Sequence, residues 1–247
     1  MGSIGSDGQA SVEFSLRGRV PDLPALRRAF MELGDEIDVD IAYQENNVYR
    51  RNRRLVAFDM DSTLIQVEVI DELAKRAGVG KQVAAITARA MRGEVDFRTS
   101  LRERVALLKG MPEIRAGGGR GDHAIDRRRG TVDVAAMKKL GYKTAILSGG
   151  LPTAGRALQR RFGFDYVFAN DFEIENGLLT GCLSGEIVDG ERKASLLAKH
   201  CSARRAFRSS KTIAVGDGAN DLLMLSIAGL GIAFRAKPIV GDRRSNR

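Results

Sequence analysis

Hydrophobic and polar positions alternate in two short stretches near the start of the chain, with a helical period between them. Ala10–Arg19 places Val12, Phe14 and Leu16 two apart, the spacing of a half-buried strand. Pro21–Gly34 carries Leu23, Leu26, Phe30 and Leu33 at helical spacing, and Ile37–Tyr43 alternates again. The pattern predicts a small βαβ unit in residues 1–50, joined onward by the polar stretch Gln44–Arg54. Alone, so small a unit would be marginally stable.

Residues 55–58 then read Leu-Val-Ala-Phe, a short apolar run fit for a buried strand. A helical period follows. Ile70, Leu73, Ala74 and Ala77 share one face before Gly78, and Val83, Ile86 and Ala90 share another. Ser100 with Glu103 reads as a capping box opening a third helix that buries Leu101, Val105 and Leu108. Residues 68–110 are thus expected to be a helical cap inserted into the main domain, which takes up 51–67 and 111–247.

Further on, Lys138–Gly150 reads as helix end, turn and strand, stopping at Ser148-Gly149-Gly150. Asp165–Ala169 is a short strand, Phe172–Gly185 a hairpin turning at Asn176-Gly177, Glu191–His200 a helix, and Lys211–Val215 a strand. Strands alternating with helices predict an α/β fold, a doubly wound parallel sheet with a small N-terminal α+β region.

Composition narrows the options. The 247 residues suffice for one sizeable domain and a small one, and no apolar stretch nears the ~18 residues that cross a bilayer. The first residues do not read as a secretory signal, and two cysteines, Cys182 and Cys201, make no disulfide framework, so the chain is expected to be cytoplasmic. The net charge of +9 favours an anionic partner. Its arginines fall between the periodic elements, however, and aromatics make up only 6% of the chain, so nucleic acid is not the expected partner. The sequence admits a homodimer without requiring one.

The chemistry concentrates where apolar runs end. Asp59 and Asp61 follow the 55–58 run and, two apart on an extended backbone, project the same way. Two adjacent like charges repel and are costly to bury; a divalent cation removes that cost, and hard oxygen ligands suit Mg2+. Two other strands end in polar tips, Ser148-Gly149 and Asp217 with Asn220-Asp221. In open α/β sheets such tips meet in the crevice beyond the strands' carboxyl ends. An aspartate nucleophile, a second carboxylate as acid/base and a metal-held phosphate would account for them.

Asp59-Met60-Asp61-Ser62-Thr63 resembles the DxDx(T/V) signature of the haloacid dehalogenase-type phosphatases, whose core is Rossmannoid. Together with Ser-Gly-Gly, Asp-Gly-Glu-Arg-Lys and Gly-Asp-Gly-Ala-Asn-Asp in this order, it is similar to the phosphoserine phosphatases within them. The resemblance implies Asp59 as nucleophile and Mg2+ ligand, Asp61 as general acid/base lending its carbonyl to the metal, and Asp217 as third ligand with Asp221 in support. It implies Ser148, Gly149, Lys193 and Asn220 on the phosphate side. In the cap it implies Glu68 for the ammonium of O-phosphoserine, Arg104 for its carboxylate, and Met91 and Phe97 closing over it. Residues 1–50 resemble part of an ACT-type region. Phosphotransfer to another alcohol and a non-catalytic relative are the competing expectations. Arg115–Asp133, Cys201–Ser210 and the C-terminal residues depart from the family pattern.

Overall fold

The computed structural model describes residues 2–6, 9–50, 52–113, 134–202 and 209–235. The atypical stretch 115–133, residues 203–208 and the C-terminal departure lie outside them. The chain divides into two compact units, parting between Gln44 and Glu45.

The first unit holds an antiparallel hairpin, β1 (Gly2–Ser6) and β2 (Gln9–Glu13), and the helix α1 (Leu23–Ile37). Asp22 caps α1 by accepting from the Ala25 amide, and Pro24 suits its first turn. The expected strand over Ile37–Tyr43 does not form. The helix runs on through Ile37 and ends at Asp38, whose amide bonds the Gly34 carbonyl and whose left-handed φ of 54° turns the Val39 amide onto the same oxygen. Val39 is exposed, as are Phe14 and Leu16 beyond the end of β2. A hairpin and a helix therefore replace the βαβ unit, and the ACT-type pattern is not reproduced.

In the second unit, β3 (Leu55–Phe58), β4 (Lys143–Leu147), β5 (Tyr166–Phe168), β8 (Thr212–Gly216) and β9 (Leu230–Ala233) make a parallel sheet in the order β5-β4-β3-β8-β9. Alternate residues of β3 feed opposite faces. Leu55 and Ala57 join Leu197 and Met224, from helices α7 (Gly190–Ser202) and α8 (Leu222–Ile227). Val56 and Phe58 join Val134 and Leu158, from α5 (Val134–Lys139) and α6 (Pro152–Phe162). Layers on both faces explain why β3 is buried throughout.

The cap comprises α2 (Val69–Arg76), α3 (Gly80–Met91) and α4 (Phe97–Ala106). Ile70, Leu73, Leu101, Val105 and Leu108 pack on Phe172 and Leu179 of the hairpin β6 (Asp171–Glu175) and β7 (Leu178–Ser184). The hairpin turns at Asn176 and Gly177, with φ of 50° and 75°, as an Asn-Gly turn of primed type should. The capping box expected of Ser100 and Glu103 is not present. Asp96 caps α4 by accepting from the Thr99 amide, and Ser100 lies inside the helix, buried. No helix among the described residues is long and apolar enough to cross a membrane.

Candidate active site

Strand register brings the polar tips level. Phe58 pairs with Ile146 on one side and Val215 on the other, so Asp59, Ser148 and Asp217 follow within a residue of the same height. All three are buried, as are Asp61, Asp221 and Lys193. Lys193 rises from the first turn of α7 with its side chain wholly out of solvent.

The Lys193 ammonium lies 2.8 Å from Asp59 Oδ1 and 2.7 Å from Asp221 Oδ1. The Met60 amide also donates to Asp59 Oδ1, at 2.7 Å. Thr63 donates to Asp217 Oδ1 at 3.0 Å, and the Gly218 amide to Asp221 Oδ2 at 3.0 Å. Glycine is required here, since a Cβ at residue 216 would stand 2.5 Å from the Asp221 carboxyl carbon.

Burial pushes the Asp59 carboxyl up to about 7; Lys193 pulls against this and Asp221 adds to it. Asp61 is raised well above the usual carboxylate range, first by burial, then by the charges of Glu68 and Asp59. Burial alone would lower Lys193, but Asp59 and Asp221 outweigh it and the ammonium is held more firmly charged. Asp59 and Asp221 thus share the Lys193 ammonium, with the buried carboxyls of Asp61 and Asp217 close by in the same site. Ligand oxygens of Asp59, Asp217 and Asp221 lie within 4.8 Å of one another, a donor set suited to a hard divalent ion. This surplus of negative charge is what a metal would neutralise.

Ser148 accepts from the Gly150 amide at 2.9 Å, leaving its hydroxyl proton to donate elsewhere. A Cβ on Gly150 would meet Asp61 Oδ2 at 2.5 Å, and one on Gly149 would meet Phe97 Cζ at 2.9 Å. The Gly149 backbone is therefore packed beneath the first residue of α4. Asp61 Oδ1 is buried without a hydrogen-bond partner among the described residues. A carboxyl oxygen so placed is poised for a group that none of the described residues supplies.

The cap side is looser. Ser62, held at φ 59°, reaches Glu68 Oε1 at 3.3 Å. Burial lowers the Arg104 guanidinium, against the opposing fields of Glu68, Asp71 and Asp61. Asn220 sits between two glycines, since Cβ atoms at 190 and 218 would run into its carbonyl and side-chain oxygens. Met91, the last residue of α3, is 71% exposed, so a covering role for it rests on the family resemblance alone. Cys182 lies in β7 as an exposed free thiol.

Two polar residues escaped the sequence reading. Thr63 holds Asp217, and its signal was present as the last residue of the Asp59 motif. Asn170 donates to the Gly149 carbonyl at 2.7 Å and accepts from the Val188 amide at 2.7 Å. Nothing local in sequence marks Asn170, because both its partners are distant in the chain.

The family model of haloacid dehalogenase-like hydrolase matches residues 56–226, which contain every strand tip just described. The chain belongs to this family. Among curated haloacid dehalogenase-like relatives, it is 42% identical over 234 residues to a phosphoserine phosphatase of Archaeoglobus fulgidus, covering 94% of this chain and 67% of that protein. It is 44% identical to the phosphoserine phosphatase of Streptomyces coelicolor, covering 94% of this chain and 56% of that one. A solved phosphoserine phosphatase, captured as a phospho-aspartyl intermediate analogue, superposes with a TM-score of 0.68 at 39% identity, covering 78% of this chain and 91% of that one.

Proposed function

We propose that this chain is a Mg2+-dependent phosphoserine phosphatase that hydrolyses O-phosphoserine to serine and phosphate through an aspartyl-phosphate. The observation that carries the reading is Asp59, buried at a strand tip with Lys193 on one oxygen and two further carboxylates in reach. The likeness to phosphoserine phosphatases over most of the chain supports the substrate.

Lys193 and the Met60 amide converge on Asp59 Oδ1, which leaves Oδ2 to attack phosphorus. As the ester P–O bond breaks, Asp61 gives its proton to the serine oxygen. Its raised pKa favours the protonated form that a general acid requires. In the second displacement Asp61, now a base, takes a proton from water, whose oxygen attacks phosphorus and frees Asp59. Ser148, the Gly149 amide, Lys193 and Asn220 hold phosphoryl oxygens throughout and stabilise the charge that develops on them.

Asp59, Asp217 and the Asp61 carbonyl would hold Mg2+, with Asp221 anchoring Lys193 and the Gly218 turn beside it. When bound, the ion supplies charge neutralisation between nucleophile and phosphate. Arg104 matches the substrate carboxylate as a planar fork, and Glu68 matches its ammonium. A cap at 68–110 with the core around it would set recognition apart from chemistry. A cytoplasmic setting is in keeping with the free, exposed Cys182.

Phosphate release from a panel of small phosphomonoesters, with and without Mg2+, tests the reading. The expected result is Mg2+-dependent turnover with O-phosphoserine preferred. Equal use of phosphomonoesters lacking the amino-acid head group would remove the substrate assignment. Transfer of the phosphoryl group to an added alcohol in place of water would make the chain a phosphotransferase.

A further inference from the structure

We propose that Arg98 and Asp189 form an ionic latch that seats the cap on the phosphate-binding loop, which makes both of them positioning residues for the reaction. The proposal rests on the phosphatase reading for its kinetic consequence, but its geometry stands apart from the catalytic carboxylates.

Asp189 divides its two oxygens between two elements. Oδ1 accepts from the Arg192 amide at 2.9 Å, and the Asp189 carbonyl accepts from the Lys193 amide at 2.8 Å, so this residue caps α7. Oδ2 accepts from Arg98 twice, from Nε at 2.6 Å and from Nη2 at 2.5 Å. Arg98 is the second residue of α4, the cap helix whose first residue, Phe97, packs on Gly149. On the core side, the neighbouring Val188 amide reaches Asn170, which in turn holds the Gly149 carbonyl. Gly149 is therefore gripped from both ends of one chain of contacts. The cap arrives through Arg98 and Phe97, and the core through Val188 and Asn170.

The arrangement sits where closure matters. Asp189 caps the helix that delivers Lys193, and Phe97 covers the backbone that would bind phosphoryl oxygens. Holding the first turn of α4 down aligns the cap's Arg104, two turns further along the same helix, over a substrate already seated below. The pair's two side chains are 50% and 12% exposed, so its strength is moderate and responds to salt. A contact of that strength can hold a cap without preventing product release. Arg98 adds to no apolar cluster of the cap, which is packed by Ile70, Leu73, Leu101, Val105 and Leu108. Its removal should therefore leave the cap folded but less well seated.

Three variants test the latch. Asp189→Asn keeps a helix-capping oxygen while removing the charge, Arg98→Ala removes the other partner, and Arg98→Lys restores charge without the fork. The latch predicts that Asp189→Asn and Arg98→Ala each raise KM for O-phosphoserine roughly three- to tenfold while kcat falls less than about twofold. It predicts that the double variant is no worse than either single one, that Arg98→Lys recovers part of the loss, and that amide exchange in α4 quickens in the first two variants. Wild-type KM should rise with ionic strength more steeply than that of Arg98→Ala, which keeps only the salt dependence of the charged substrate itself. Unchanged KM in both single variants, or two effects that simply add, would overturn the latch. Quickened exchange in α4 would support it even where the wild type hydrolyses no O-phosphoserine, an outcome that overturns the functional reading instead.

Discussion

The two sides of the crevice are built differently. On the strand-tip side Asp59, Asp221 and Lys193 are buried and bonded to one another or to backbone amides, with distances of 2.7 to 3.0 Å. On the cap side the corresponding groups are partly open. Glu68 meets Ser62 at 3.3 Å, Arg104 meets the Ser100 carbonyl at 3.3 Å, and Met91 is exposed. The difference teaches which half is preorganised. On the proposed reading, charge that develops at phosphorus would be met by groups fixed before substrate arrives, so they would act on the chemical step. On the same reading the looser cap groups would act on recognition. The first side should govern kcat, the second KM.

Breaking the strand-tip side should have the largest effect. Asp59→Asn should reduce turnover by about 10⁴-fold or more while the substrate still binds, as measured by phosphate release and by calorimetry. Lys193→Met comes next. It should lower kcat about 10²- to 10³-fold and also lower the melting temperature, because Asp59 and Asp221 are left buried against each other. A Lys193→Met enzyme with normal kcat would erase the contrast.

The cap side gives smaller effects of another kind. Arg104→Lys keeps the charge but loses the fork, and should raise KM about tenfold with kcat little changed. An equal fall in kcat would show that the cap takes part in the chemical step.

The smallest effect comes from a carboxylate at the far end of the sheet. Burial would raise Asp165, but the Lys143 ammonium at 2.6 Å and the Thr144 amide and hydroxyl outweigh it and hold it below the usual carboxylate range. A carboxyl lowered on folding stabilises the protein above its unfolded pKa, and the gain is lost as pH falls through the folded one. Asp165→Asn should therefore cost up to about 1 kcal/mol at pH 7, with kcat unchanged. In thermal melts, the gap between wild type and variant should close as the pH is taken below the ordinary carboxylate range. A gap that widened in acid would reverse the sign assigned to Asp165.

How much of this was legible in the sequence follows from how local each signal is. Asp59, Ser148 and Asp217 each sit where an apolar run breaks into polar residues, and that transition is written in consecutive positions. The cap helices were legible because Ile70, Leu73, Leu101 and Val105 repeat at helical spacing and are all buried. Ser100 and Glu103 mimicked a capping box because the real cap, Asp96, stands four residues earlier and spends its side chain on Thr99. Alternation over Ile37–Tyr43 read as a strand, yet its first residue ends α1, Asp38 turns left-handed, and no strand forms there. Helix α6, opening after Ser148-Gly149-Gly150 at Pro152, was hidden by the loop chemistry in front of it. The half-buried strand β9 was hidden within a longer apolar run. Asn170 and the Arg98–Asp189 pair were beyond reach, since their meaning lies in partners 18 to 91 residues away.

The claim on which the account turns is that Asp59 itself accepts the phosphoryl group. Acid quenching of the enzyme during turnover of O-phosphoserine labelled in its phosphate, followed by peptide mapping, tests it directly. The account predicts label on the peptide that carries Asp59 and none in Asp59→Asn. Steady turnover with no labelled peptide, or with label on another residue, would contradict it.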